Sequence, residues 1–154
     1  MSLVLAGTNH KFSPISFRER IALSRNGVRR ALPLLLENSS LKGAIILSTC
    51  NRVEIYASCD NPAYASDGIY GFLSQYHEID KGEISPYLYS YINRDAARHL
   101  FEVAAGLDSQ VIGERQVLGQ VEFFFEEAKA LGAADIFLKK VFGKALETAQ
   151  KTRV

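Results

Sequence analysis

Apolar and polar positions divide the chain into a first part of mixed period and a second part of purely helical period. Leu3 to Gly7 reads as a short strand closed by a Thr8-Asn9-His10 turn. Ser16 is the predicted N-cap of a helix bearing Arg18, Glu19 and Arg20, with Glu19 at the capping-box position. Ser24 to Glu37 places Val28, Ala31, Leu32, Leu35 and Leu36 on one side. That is a helical period in spite of Pro33, since an interior proline costs about 3 kcal/mol. Gly43 then releases the chain into Ala44-Ile45-Ile46-Leu47, the continuous apolar run of a buried strand. Arg52-Val53-Glu54-Ile55-Tyr56-Ala57 alternates with the period of a half-buried strand. These two strands are expected to form a hairpin with Cys50 and Asn51 near its tip. Residues 62–76 read as a helix, and Tyr87 to Ile92 as an aromatic-rich strand. The order β-α-β-β-α-β over residues 1–92 predicts an α+β fold, a ferredoxin-like sandwich.

From Asn93 the pattern is helical only. Asn93 is the N-cap candidate for a helix over Asp95–Ala105 that sets Ala97, Leu100, Phe101 and Ala104 on one face. A loop from Gly106 to Gly113 follows. The stretch 114–131 carries Val117, Leu118, Val121, Phe124, Phe125, Ala128 and Leu131, and Phe137 to Ala149 repeats at three and four. The chain stops at Thr152-Arg153-Val154 with no capping glycine or proline, which reads as an end that is cut rather than finished.

Composition narrows this picture without adding chemistry. The 154 residues suit one domain, and 47% hydrophobic with 23% charged residues is near the soluble globular average. A chain of this length buries enough surface to fold without a metal or disulfide. The apolar run Leu3-Val4-Leu5-Ala6 is too short for a signal peptide, and no window reaches the roughly 18 apolar residues of a membrane span. A soluble, intracellular protein is expected. The net charge of +1 argues against binding nucleic acid by bulk electrostatics. It hides an asymmetry, however. Residues 1–30 carry +5 through Lys11, Arg18, Arg20, Arg25, Arg29 and Arg30 against Glu19, whereas residues 60–83 carry −4. A local basic face is thus one expectation, and a solvated surface is the other.

Two cysteines and three histidines have no metal-ligand spacing, so no metal site is expected. Seven extended residues put Cys50 and Cys59 on the order of 20 Å apart, too far for a disulfide. Cys59 reads as a small residue at a strand end, and His77 as a solvated surface residue. Cys50 differs because it follows an apolar strand and sits in a turn beside Asn51 and Arg52. In extended chain Cys50, Arg52 and Glu54 point to one side while Val53 and Ile55 enter the core. A neighbouring guanidinium favours the thiolate, which is the nucleophile. An incidental cysteine is the alternative reading. His99, beside Leu100 and Phe101, reads as a core or rim histidine. The loop from Gly106 to Gln116 is dense in hydrogen-bonding side chains, and Gly119 interrupts the helix after it at a cost of about 1 kcal/mol. Close backbone approach and helix packing both account for that glycine.

The motifs Gly7-Thr8-Asn9-His10-Lys11, Arg18-Glu19-Arg20, Ser48-Thr49-Cys50-Asn51-Arg52-Val53-Glu54-Ile55-Tyr56, His99-Leu100-Phe101, Gly106-Leu107-Asp108-Ser109 and Gly113-Glu114-Arg115-Gln116-Val117-Leu118-Gly119-Gln120-Val121 occur in this order. Together they resemble the N-terminal catalytic domain of glutamyl-tRNA reductase over essentially the whole chain. The resemblance implies that Cys50 attacks the ester of glutamyl-tRNA to give a glutamyl thioester. NADPH then reduces it to glutamate-1-semialdehyde in five-carbon tetrapyrrole (5-aminolevulinate, porphyrin, haem) synthesis. It makes Cys50 and His99 the catalytic residues, with acid–base assistance or carbonyl polarisation suiting His99, and gives Thr49, Cys50, Asn51, Arg52, Ser109, Glu114, Arg115, Gln116 and Gln120 substrate-binding positions. Within these, Arg52 suits the substrate side-chain carboxylate, since a guanidinium grips it with two bonds. Glu114 suits the α-ammonium group.

The family commonly has Glu-Pro-Gln where this chain has Glu114-Arg115-Gln116, which puts that loop's geometry in question. The resemblance makes residues 1–154 the catalytic domain, with 1–92 its ferredoxin-like part and 93–154 its helical part. It places the NADPH-binding and dimerisation domains outside this chain, where no GxGxxG follows a strand. This piece alone is therefore expected to accept glutamate and not to reduce it. The family also implies a cytoplasmic homodimer with a glutamate-1-semialdehyde aminotransferase as candidate partner. Two other functions compete: a non-catalytic module that uses the +5 segment to hold tRNA or a protein, and a cysteine acyltransferase or thioesterase that needs no nicotinamide.

Overall fold

A computed structural model describes residues 1–37, 40–109 and 116–152. Four antiparallel strands, β1 (Ser2–Asn9), β2 (Gly43–Ser48), β3 (Arg52–Cys59) and β4 (Tyr89–Ile92), form one sheet in the order β2-β3-β1-β4. Helices α1 (Ile15–Ile21) and α2 (Arg25–Glu37) connect β1 to β2, and α3 (Pro62–His77), α4 (Lys81–Ile84) and a 3-10 turn (Ser85–Tyr87) connect β3 to β4. This is the expected ferredoxin-like topology. Helices α5 (Arg94–Ala104), α6 (Gln116–Ala130) and α7 (Ile136–Thr152) complete the described chain. None of the described helices is long and apolar enough to cross a membrane.

Several local expectations shift by a residue or a face. The first strand runs on through Thr8 and Asn9, because Asn9 still pairs with Arg52 of β3. Helix α1 opens on Pro14, whose extended backbone (φ −71°, ψ 157°) offers its carbonyl to the Phe17 and Arg18 amides, so Ser16 lies inside the helix and caps nothing. Ser24 does cap, accepting the Gly27 amide at 3.0 Å ahead of α2. Pro33 stays within α2 on its exposed side, where the unpaired carbonyl a turn earlier can face water. The last strand is shorter than expected, since Tyr87 belongs to the 3-10 turn.

The largest correction concerns β3, which is buried on both faces instead of one. Its register with β1 sets Asn9, Gly7, Leu5 and Leu3 opposite Arg52, Glu54, Tyr56 and Ser58. That face meets the helical part: Tyr56 packs edge-on to Phe142 of α7, and Ser58 donates to Asp135 at 2.6 Å. Val53, Ile55 and Ala57 are buried on the other face; α1 and α3 pack on β3 and α2 on β2. The second half of the chain therefore roofs a sheet face that alternation alone leaves to solvent. Helix α5 turns by about one position for the same reason. Ala96, His99, Leu100 and Val103 are buried, while Ala97 and Phe101 are partly exposed.

Asn93 holds the junction of the two parts. It adopts φ 52°, its side chain accepts the Leu3 amide at 2.9 Å, and its own amide donates to the Leu3 carbonyl at 2.8 Å. Its carboxamide thus serves β1 and does not cap α5.

Candidate active site

The β2–β3 hairpin turn, Thr49 to Asn51, is held from several directions. The Thr49 amide donates to the Arg52 carbonyl at 2.8 Å and the Asn51 amide to Thr49 Oγ1 at 3.2 Å. The His10 amide donates to the Asn51 carbonyl at 2.9 Å, and Arg18 Nε donates to the Cys50 carbonyl at 3.2 Å. Arg18 is itself buried and also donates to the Ser13 carbonyl. Cys50 is exposed and its thiol is free, whereas Cys59 is a buried free thiol at the far end of β3.

Thr49, Cys50, Asn51, Arg52, Ser109, Gln116, Val117 and Gln120 line one narrow cleft of about 40 Å³. Cys50 and six of the other residues singled out in the sequence thus come together, although 70 positions separate Cys50 from Gln120. Glu114 and Arg115, with the question of the missing proline, lie outside the described residues. His99 does not line this cleft. It opens instead on a separate cavity of about 230 Å³ with Tyr91, Asp95, Arg98 and Glu102.

Arg52 explains how the two are connected. It is 1% exposed, and Nη1 lies 3.1 Å from Asp108 Oδ2 and 3.5 Å from Glu54 Oε2, while Nη2 donates to the Asp108 carbonyl at 2.7 Å. Its guanidinium is already engaged by acids of this chain, so a bound carboxylate must share it. Asp108 also accepts from Asn9 Nδ2 and Lys11 Nζ, each at 3.2 Å. Glu54 is fully buried; it accepts from Tyr56 at 2.9 Å and from Tyr89, and His99 Nε2 lies 2.5 Å from Oε2. Stacked tyrosines Tyr89 and Tyr91 flank the His99 ring at 5.7 and 5.3 Å.

The electrostatics follow from burial working against these partners. Burial alone raises a carboxyl's pKa, yet the charge and hydrogen bond of His99, then Arg52 and Tyr89, hold Glu54 down to about 2. Burial disfavours the imidazolium of His99, and Glu54 outweighs it and raises the pKa. Burial also opposes the Arg52 cation, and Glu54, with Tyr56, Tyr89 and Asp108, more than restores it. Burial beside the Glu54 carboxylate raises the pKa values of Tyr56 and Tyr89. The arrangement is a buried Arg52–Glu54–His99 row in which each partner favours the charged form of its neighbour, with hydroxyl donors on either side. Glu54 stands two residues into β3, beyond the turn that carries Cys50. Glu54 contacts both His99 and Arg52, and Arg52 lines the cleft.

Sequence reading overlooked Asp108 and the two tyrosines and took Glu54 for a surface-lining group. The available signal was a glutamate between the apolar Val53 and Ile55, with a tyrosine two residues on. His10 was noted only for its place after a strand; its Nδ1 is buried with no hydrogen-bond partner among the described residues, and burial followed by Arg52 lowers its pKa. His77 is half-buried rather than solvated, and burial lowers its pKa too. Most of the basic groups of the N-terminal segment are engaged, with Arg30 exposed. Lys11 pairs with Asp108, Arg20 with Glu83 and Arg29 with Glu127, Arg25 lies over Phe123, and Arg18 is buried.

Residues 6–154 match the family described as Glutamyl-tRNAGlu reductase, N-terminal domain. The chain is 40% identical over 153 residues to the glutamyl-tRNA reductase of Aromatoleum aromaticum, a match covering 99% of this chain and 36% of that protein. Its fold superposes on glutamyl-tRNA reductase from Methanopyrus kandleri with a TM-score of 0.76 at 31% identity, covering 98% of this chain and 34% of that one. The chain thus spans about a third of the length of these relatives.

Proposed function

The chain belongs to the glutamyl-tRNAGlu reductase N-terminal domain family, and from that premise we propose that Cys50 takes the glutamyl group of glutamyl-tRNA as a thioester. The observation that carries this reading is the exposed thiol on a firmly held turn, set in a cleft lined by hydrogen-bonding side chains. Sγ bonds to the ester carbonyl carbon, the carbon–oxygen bond to the ribose breaks, and the departing ribose oxygen takes the proton the thiol gives up. Thr49, Asn51, Ser109, Gln116 and Gln120 supply donors and acceptors around the acyl group, and Arg52 shares its guanidinium with the substrate carboxylate. Glu114 and Arg115 belong to the same substrate set by family resemblance. His99 acts on this cleft through the buried Glu54 and Arg52 row, as a positioning residue.

The hydride that takes the thioester to glutamate-1-semialdehyde, toward tetrapyrroles, is assigned to NADPH bound beyond the described residues. Those residues do not fit a dinucleotide: the sheet is antiparallel throughout, and the strand-to-helix passages at residues 10–14, 60–61 and 93 have no glycine-rich turn. The domain assignment extends likewise, with residues 1–154 as the acylating part of a longer reductase. A cytoplasmic homodimer and a glutamate-1-semialdehyde aminotransferase partner complete the proposal, carried by family resemblance alone.

The test is mass spectrometry after incubation with glutamyl-tRNA and no nicotinamide. One glutamyl adduct is expected on the parent chain, mapped to Cys50, and its loss to background in Cys50→Ala. A parent chain that stays unmodified, or an adduct that survives the substitution, overturns the reading.

A further inference from the structure

We propose that Asp108 is a specificity-determining residue of the reaction: it fixes the Arg52 guanidinium in one orientation, so that an acyl donor bearing a side-chain carboxylate is accepted and its amide counterpart refused. This rests on the acyl-transfer reading above. Asp108 itself does not line the Cys50 cleft, so it acts through Arg52.

Arg52 ends a long side chain, and its planar group recognises a carboxylate only when its N–H bonds are held in a set direction. Of its five N–H donors, Nη1 gives one to Asp108 Oδ2 at 3.1 Å and lies 3.5 Å from Glu54 Oε2. Nη2 donates to the Asp108 carbonyl at 2.7 Å. Asp108 thus grips both terminal nitrogens, one with its side chain and one with its backbone. The Glu54 contact is too long to fix the group alone. These contacts leave Nε–H and one N–H of Nη2 with no acceptor among the described residues. Arg52 is 1% exposed and lines the cleft, so an anion meets those two donors by way of the cleft. Nε and Nη2 flank one edge of the guanidinium, whose parallel N–H bonds match the two oxygens of a carboxylate.

The anchor is itself tied down. Asp108 Oδ2 accepts from Asn9 Nδ2 and Oδ1 from Lys11 Nζ, each at 3.2 Å, so the end of β1 pins the carboxylate. The Lys11 cation also offsets the charge of Asp108, which would otherwise repel an incoming carboxylate across Arg52. A carboxylate offers an acceptor to each of the two remaining donors. A carboxamide offers one acceptor and one NH₂ group, which sets donor against donor and strands a buried N–H. Such a pair rejects the wrong donor strongly only while it stays in place. Once Asp108 lets go, the guanidinium can turn toward the single oxygen of the amide.

The test uses the full-length protein without nicotinamide and one tRNA charged either with glutamate or with glutamine. The measured quantity is the ratio of the two initial rates of Cys50 acylation, read by mass at low donor concentration. Unfolded protein lowers both rates alike and leaves their ratio unchanged. The parent is expected to prefer glutamate. Asp108→Asn, which keeps the shape and loses the charge, and Asp108→Ala are each expected to cut that preference about tenfold or more, as loss of one charged hydrogen bond does. Asp108→Asn should also act mainly by raising the half-saturating concentration of glutamyl-tRNA. An unchanged ratio in either variant, a slowing carried wholly by the maximal rate, or a parent that takes both donors equally would each overturn the role of Asp108 while leaving acyl transfer intact. A parent acylated by neither donor would instead overturn acyl transfer and this proposal with it.

Discussion

Glu54 gathers Arg52, Tyr56, Tyr89 and His99 around one fully buried carboxylate. Removing one partner of such a set leaves charges stranded in a medium that solvates them poorly. Glu54→Ala is therefore expected to destabilise the fold by about 3–5 kcal/mol, read from urea denaturation, although Glu54 does not line the Cys50 cleft. The residue scale is also where sequence reasoning reached furthest and then stopped. Cys50 was legible because a cysteine and an arginine sat in a turn after an apolar strand, and the family motifs supplied Thr49, Asn51, Ser109, Gln116 and Gln120. Asp108 and the tyrosines were not legible. Asp108 lies 56 positions from Arg52 and Tyr89 35 positions from Glu54, and nothing in local spacing announces a bond across that distance.

At the level of elements, the β-α-β-β-α-β order and the hairpin carrying Cys50 followed directly from apolar period and turn chemistry. The exposure of β3 did not, because a strand's own alternation carries no information about a roof supplied by α5 and α7. The close fit of that strand against β1 has a measurable cost if disturbed. A Cβ at Gly7 would stand 2.2 Å from the Val53 carbonyl oxygen and 2.7 Å from the Glu54 Cα, both backbone atoms that cannot swing aside. Gly7→Ala should force β1 away from β3 and lower stability by about 1–3 kcal/mol, seen as a reduced thermal midpoint. The same step would pull Glu54 away from His99, so His99 should titrate nearer its ordinary value by NMR in that variant.

For the molecule as a whole, the buried row ties stability to pH. The pKa of His99 is raised in the folded state, so its contribution is complete below about 6.5 and is lost as pH rises through the folded value. Glu54 is depressed to about 2, so its contribution is complete above about 4.5 and is lost as pH falls toward 2. His10 and His77, both lowered, act in the opposite sense to His99 and favour the fold above about 6.5. Comparing the parent with His99→Asn isolates one of these. The difference in thermal midpoint should be greatest near pH 5 to 6 and shrink toward pH 9; a difference that grows with pH would contradict the ion pair. Charge also bears on how copies of the molecule behave toward one another. A net charge of +1 gives almost no mutual repulsion, and proteins near neutrality tend to associate through unpaired strand edges. Both edges of this sheet are already blunted. On the β2 side the Ala44 amide is taken by the Ala133 carbonyl, and on the other side β4 is four residues long and ends at the left-handed turn of Asn93. Resistance to edge-to-edge aggregation is thus a matter of backbone geometry, and it should persist in high salt, where a charge-based defence would fail.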